Sequence, residues 1–178
     1  MKIFTVFWTL WVGLSLNPFT WPALAHEKTF PTKQLAALTP EGLSVSFKEL
    51  SVRPESTKLK QFEKDFELVF SKGELAGNLF LGTGEDKKTQ LVVVFLDGKS
   101  ERGDTEFGAA INNKGRVAKV IVFSSPEPAA SKEFLSTFID KNASELQKMR
   151  QEMAGDPSKK FLTELTLKAV GRVSSSFK

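Results

Sequence analysis

The sequence has no cysteine, no tyrosine and a single histidine in 178 residues. Without cysteine there are no disulfides, no thiol nucleophile and no cysteine-ligated zinc, so stability must come from packing. All three tryptophans, Trp8, Trp11 and Trp21, lie near the start of the chain. The one imidazole, His26, is also close to that end, which excludes Cys–His and Ser–His–Asp catalysis within the body of the protein. A copper brace needs a second histidine, and none exists. Demanding chemistry would have to come from a bound cofactor.

Residues 1–25 read as a secretory leader. Lys2 supplies the positive start, Ile3 to Leu16 is uncharged and apolar in character, Asn17 and Pro18 break the run, and Ala23-Leu24-Ala25 is a small-residue cleavage site. The apolar run is shorter than the roughly 20 residues that span a bilayer. The expected product is one domain over 26–178, periplasmic or secreted, with no transmembrane segment after cleavage. Losing Lys2 lowers the formal charge of +4 by one, and no basic run is interleaved with aromatics, which argues against nucleic acid as a partner.

Periodicity outlines an α+β domain: an antiparallel sheet of about five to six strands packed with N-terminal and C-terminal helices. Pro31 to Leu38 predicts a short helix with Leu35 and Leu38 on one face. Leu43, Val45 and Phe47 alternate as a half-buried strand. Leu59, Phe62 and Phe66 share the face of a second helix. Phe66 to Phe70 reads as a strand, Ser71 to Glu74 as a hairpin turn, and Leu75 to Leu81 as the returning strand. Leu91 to Leu96 is apolar throughout and predicts a central strand covered on both faces. Asp97 to Asp104 reads as a polar loop. Thr105 to Asn112, a turn through Gly115, and Val117 to Phe123 form a hairpin whose second strand should be largely buried. Pro126 and Pro128 then break the chain before a helix carrying Phe134, Leu135, Phe138 and Ile139. Asn142 to Met153 predicts another helix, with Ser144 as its cap. Asp156-Pro157 opens a last helix whose face is Leu162, Leu165, Ala169, Val173 and Phe177. Gly171 within it is a mild cost or a point of close packing.

Other patterns read most simply as structure. Gly82-Thr83-Gly84 lacks the Gly-Lys-Ser sequel of a phosphate loop. Arg102-Gly103-Asp104 sits in a polar stretch, Asn142-Ala143-Ser144 starts a helix, and Met149 and Met153 have core spacing. Asp65, Glu67, Glu74, Asp86, Asp97, Glu101 and Asp104 read as solvated surface.

The phrase Gly-Ala-Ala-Ile-Asn-Asn-Lys-Gly-Arg-Val-Ala-Lys-Val-Ile-Val-Phe (Gly108 to Phe123), the proline break and the Phe134-to-Phe138 helix together resemble the FMN-binding domain family. That family occurs in exported subunits of bacterial sodium-translocating quinone reductases and in stand-alone envelope proteins. The likeness covers about 35–177 and is specific from Phe107 to Ile139; Lys72 to Gly77 is also similar to the family's earlier hairpin. It implies a flavoprotein in electron transport, with a membrane or periplasmic redox partner and a pocket between the sheet and the last helix. Many such domains attach the flavin phosphate to the final hydroxyl of Ser/Thr-Gly-Ala-Thr-x-Ser/Thr. Here the region reads Met153-Ala154-Gly155-Asp156-Pro157-Ser158-Lys159-Lys160-Phe161-Leu162-Thr163. Alignment on Gly155 puts Lys159 at the attachment position, and alignment on Ala169 to Arg172 puts Leu162 there. Neither has a hydroxyl, which argues against covalent flavin. What the resemblance leaves is FMN held by Ser158, Lys159, Lys160 and Thr163, its phosphate at the N-terminus of the Pro157 helix, drawn by both lysines and opposed by Asp156. The alternative is a cofactor-free envelope module that binds a partner protein or a small apolar ligand. Edman sequencing of the exported product should begin at His26; a product beginning at Met1 would overturn the leader.

Overall fold

The structure, a computed structural model, describes residues 31–177; the leader expected over 1–25 and His26 lie outside them. A five-stranded antiparallel sheet follows chain order: β1 (Ser46–Leu50), β2 (Leu79–Thr83), β3 (Thr89–Ser100), β4 (Gly103–Asn112) and β5 (Val117–Ser124). α1 (Thr32–Leu38) packs on one face. On the other lie α4 (Lys132–Ser136), α5 (Ala143–Glu152) and α6 (Pro157–Ser174). α2 (Ser56–Phe66) and α3 (Lys72–Ala76) form an excursion between β1 and β2.

Strand alternation divides the core in two. Val92, Val94, Leu96, Phe107, Ala109 and Ile111 face α6, which answers with Leu162, Leu165, Ala169 and Val173. Leu91, Val93 and Ala110 face α1 with Leu35 and Leu38. Leu91 to Leu96 is thus the predicted central strand, with every residue buried except half-buried Phe95.

Three local expectations are corrected. Ser71 to Glu74 is not a hairpin turn, and no strand precedes it. Glu67 takes a left-handed conformation (φ 50°) that ends α2, and Ser71 and Glu74 cap each other's backbone to start α3. The likeness of Lys72 to Gly77 to a hairpin fails with it. Asp97 to Asp104 is not a loop: β3 continues to Ser100 and β4 begins at Gly103. Gly98 keeps the inward alternation, lying where a Cβ would come within 2.7 Å of Leu165. β5 is an edge strand, and only Val117 and Val120 in it are buried. It carries register shifts against β4 near both ends.

The α2–α3 excursion is fixed to α6 by packing and by charge. The Phe62 ring lies against Gly171, its centre 4.4 Å from that of Phe66. A Cβ at Gly171 would fall 2.7 Å from Phe62 Cδ1, so the helical glycine is the close-packing point. Lys168 Nζ meets Glu74 Oε1 at 2.9 Å and Glu164 Oε1 at 3.4 Å. Arg172, 1% exposed, donates to the carbonyls of Val52 (2.8 Å) and Gly77 (3.0 Å). The Gly171→Ala substitution should destabilise the fold by about 1–3 kcal/mol, because overpacking displaces the ring; a lower urea midpoint at unchanged slope checks it.

Candidate functional site

α6 begins where a phosphate was expected, and the chain's own groups fill that place. Asp156 is its N-cap: Oδ1 accepts the Lys159 N–H at 3.1 Å, and Oδ2 lies 3.3 Å from Lys159 Nζ. A carboxylate at a helix N-terminus serves the orphan N–H groups and the dipole as a bound anion would. The Asp156 carboxyl is held below its ordinary value, chiefly by the Lys159 N–H, with the Lys159 ammonium adding to it.

The four residues expected to hold FMN do not converge. Ser158 is buried, and its Oγ accepts the Ala129 N–H at 3.1 Å. Thr163 is fully buried; its hydroxyl donates to the Lys159 carbonyl at 2.8 Å and lies 3.4 Å from Met153 Sδ. Lys159 and Lys160 are exposed, with the Lys159 ammonium 6.0 Å from the Phe134 ring centre. Two hydroxyls therefore face inward and are committed, while two ammoniums face solvent. Where α6 meets the sheet, Leu162 and Leu165 pack among Val94, Leu96 and Phe107. This arrangement does not fit a flavin phosphate or ring at these residues.

A groove of about 400 Å³ lies instead at the other end of α6, lined by Lys58, Gln61, Phe62, Asp65, Ser174 and Ser175. At a rise of about 1.5 Å per residue, its nearest α6 residue, Ser174, is about 24 Å along the helix from Ser158. No group of three metal-ligating side chains occurs among the described residues, and none of their helices is long and apolar enough to cross a membrane.

The segment after β5 is bound to the start of α6 and to the β3–β4 hairpin. Thr105 Oγ1 and Ser125 Oγ are 2.7 Å apart, and Ser125 Oγ accepts the Glu127 N–H at 3.1 Å. The Glu127 side chain is 2% exposed, and its Oε2 lies 3.7 Å from Arg102 Nε without a hydrogen bond among the described residues. This engages Arg102, the first residue of Arg102-Gly103-Asp104, with the fold. Asn142, not Ser144, caps α5: its Oδ1 accepts the Glu145 N–H at 3.0 Å while Glu145 Oε2 accepts the Asn142 N–H at 2.9 Å. The Asn142 side chain is thus spent on capping. Met149 packs against the core, as its spacing predicted.

Sequence reasoning missed the inward polar groups. Glu74 was read as surface, yet it is buried against Lys168. The spacing of Glu164, Lys168 and Arg172, four residues apart on α6, was the available signal.

The Asp156 and Glu145 carboxyls, both depressed, give the caps a defined pH dependence. Glu145 is lowered first by the Asn142 N–H and secondarily by Arg116. A depressed acid adds stability that is complete above the ordinary carboxylate range and is lost as pH falls through the lowered folded value. Asp156→Asn keeps the acceptor and removes the titration, so its urea midpoint should fall less steeply with acidification than that of the parent chain. No protein-family model, no curated protein and no solved structure matches this chain.

Proposed function

We propose that the chain is an exported, cofactor-free binding module with the architecture of an FMN-binding domain, acting through its surface rather than through a reactive group. The observation that carries this reading is the state of the α6 N-terminus. Its cap is a carboxylate, and the two hydroxyls nearest the family's attachment position are buried in bonds to Ala129 and Lys159. The side-chain inventory agrees: no cysteine, no tyrosine, and a lone histidine outside the described residues. A binding module needs none of these.

The second reading, a flavin-dependent electron-transfer component with a membrane or periplasmic redox partner, is favoured by one specific feature. The β4–β5 hairpin, the proline break and α4 follow one another in the order of the family phrase. Kinship of that kind is compatible with loss of the cofactor.

Expression in a host that carries a flavin transferase separates the two. The purified chain should be colourless, show no FMN mass increment, and leave the fluorescence of added FMN unquenched. A yellow protein, or saturable quenching abolished by Lys159→Ala and Lys160→Ala, would establish the flavin reading instead.

A further inference from the structure

Among the described residues, the sheet face opposite α6 is roofed at one end only. α1 has seven residues and sets Leu35 and Leu38 over Leu91, Val93 and Ala110. Leu38 reaches as far as Gly108, where an added Cβ would fall 2.7 Å from its Cδ1 and 2.9 Å from Phe123 Cε2. Beyond that point no described element covers β3 and β4. Phe95 is half-buried, and Phe123, 6.0 Å from it, is 37% exposed. The next outward pair is Asp97 opposite Glu106.

This pair is unusual in its setting. Both residues are exposed, and among the described residues neither forms an ion pair or a side-chain hydrogen bond. Like charges directly opposite on neighbouring strands destabilise a sheet. The following pair, Lys99 opposite Asp104, is complementary, so the mismatch is local. It also runs against the whole chain, whose formal charge is +4. An exposed aromatic beside uncompensated carboxylates offers an apolar contact and a charge contact in one place.

We propose that this end of the sheet docks a cationic segment of a partner protein, with lysine or arginine side chains meeting Asp97 and Glu106 while an apolar side chain of the same segment covers Phe123 and Phe95. The inference rests on the reading of the chain as a binding module and names the chemistry of what it binds. A cation beside the open Phe123 ring would also gain from the ring quadrupole. Because the protein is basic overall, a cationic partner is repelled at long range and held only where the local field is inverted, which makes the site selective.

The test uses the isotope-labelled full domain and a blocked five-residue peptide alternating lysine and leucine, with its glutamate–leucine counterpart as control. The lysine peptide should shift the backbone amides of Phe95, Asp97, Glu106 and Phe123, and the control should not. Added salt should weaken the effect. In the Asp97→Asn, Glu106→Gln double variant binding should fall about tenfold, as expected when a charge pair loses one partner. The variant's own amide spectrum reports whether it is folded, and both positions are exposed. No shift, shifts centred on another surface, or binding unchanged in the double variant would overturn the proposal. The outcome is independent of flavin uptake: a yellow protein that still binds the peptide here removes the cofactor-free reading alone, and a colourless one that does not removes the docking face alone.

Discussion

The buried polar ladder of α6 is the constraint on which the arrangement depends. Half-buried Glu164 and buried Lys168 and Arg172 lie a little over one turn apart, on a helix whose apolar face packs in the core. Each reaches a different part of the chain. Glu164 and Lys168 engage Arg150 of α5 and Glu74 of α3, and Arg172 gathers carbonyls before α2 and after α3. Arg150 adds a bond to the Phe66 carbonyl at 2.7 Å. Removing one partner from a buried ion pair typically costs about 3–5 kcal/mol, because the other is left uncompensated. Arg172 has no carboxylate partner among the described residues, and burial pushes its guanidinium down from its ordinary value. Backbone carbonyls and the negative end of α6 take the place of a counter-ion.

That ladder also leaves little of α6 unengaged. Its apolar flank is used by the sheet, its polar flank by α3 and α5, and its cap and first two turns by Asp156, Ser158 and Thr163. What remains accessible is lysine-bearing surface at one end and a shallow groove at the other. A protein without cysteine cannot fasten such an excursion covalently. Charge pairs and an aromatic ring seated on Gly171 take over that role.

Most of the architecture was legible in the sequence because it follows period and punctuation. Leu91 to Leu96, the turn through Gly115, and Asp156-Pro157 each carried one unambiguous signal, and each forms the predicted element. The misread stretches had two. Ser71 to Glu74 is both a glycine-bearing turn and a Ser-x-x-Glu capping box, and the pairing of Glu74 with Lys168 far along the chain favoured the helix. Asp97 to Asp104 looked like a loop because one face is charged and the other holds a glycine; only the side chains of α6 turn Gly98 into a core position. The candidate site was less legible still. Ser158 and Thr163 were identified as hydroxyls near a helix start, but which way a hydroxyl points depends on Ala129 and Met153, residues that periodicity does not bring together.

The simple strand order has a cost at its margins. Among the described residues, a sheet in chain order ends in two edges, β1 and β5, and an edge strand's free amides can recruit another molecule into an aggregate. β1 is short and carries Lys48 and Glu49 side by side, which discourages growth. β5 is longer and richer in valine and isoleucine, and it is blunted by geometry: two irregularities break its register, and its first residue is already bonded to Asp140 and Lys141. Those distortions twist the strand away from a flat template, so solubility at that margin is a property of backbone shape more than of charge.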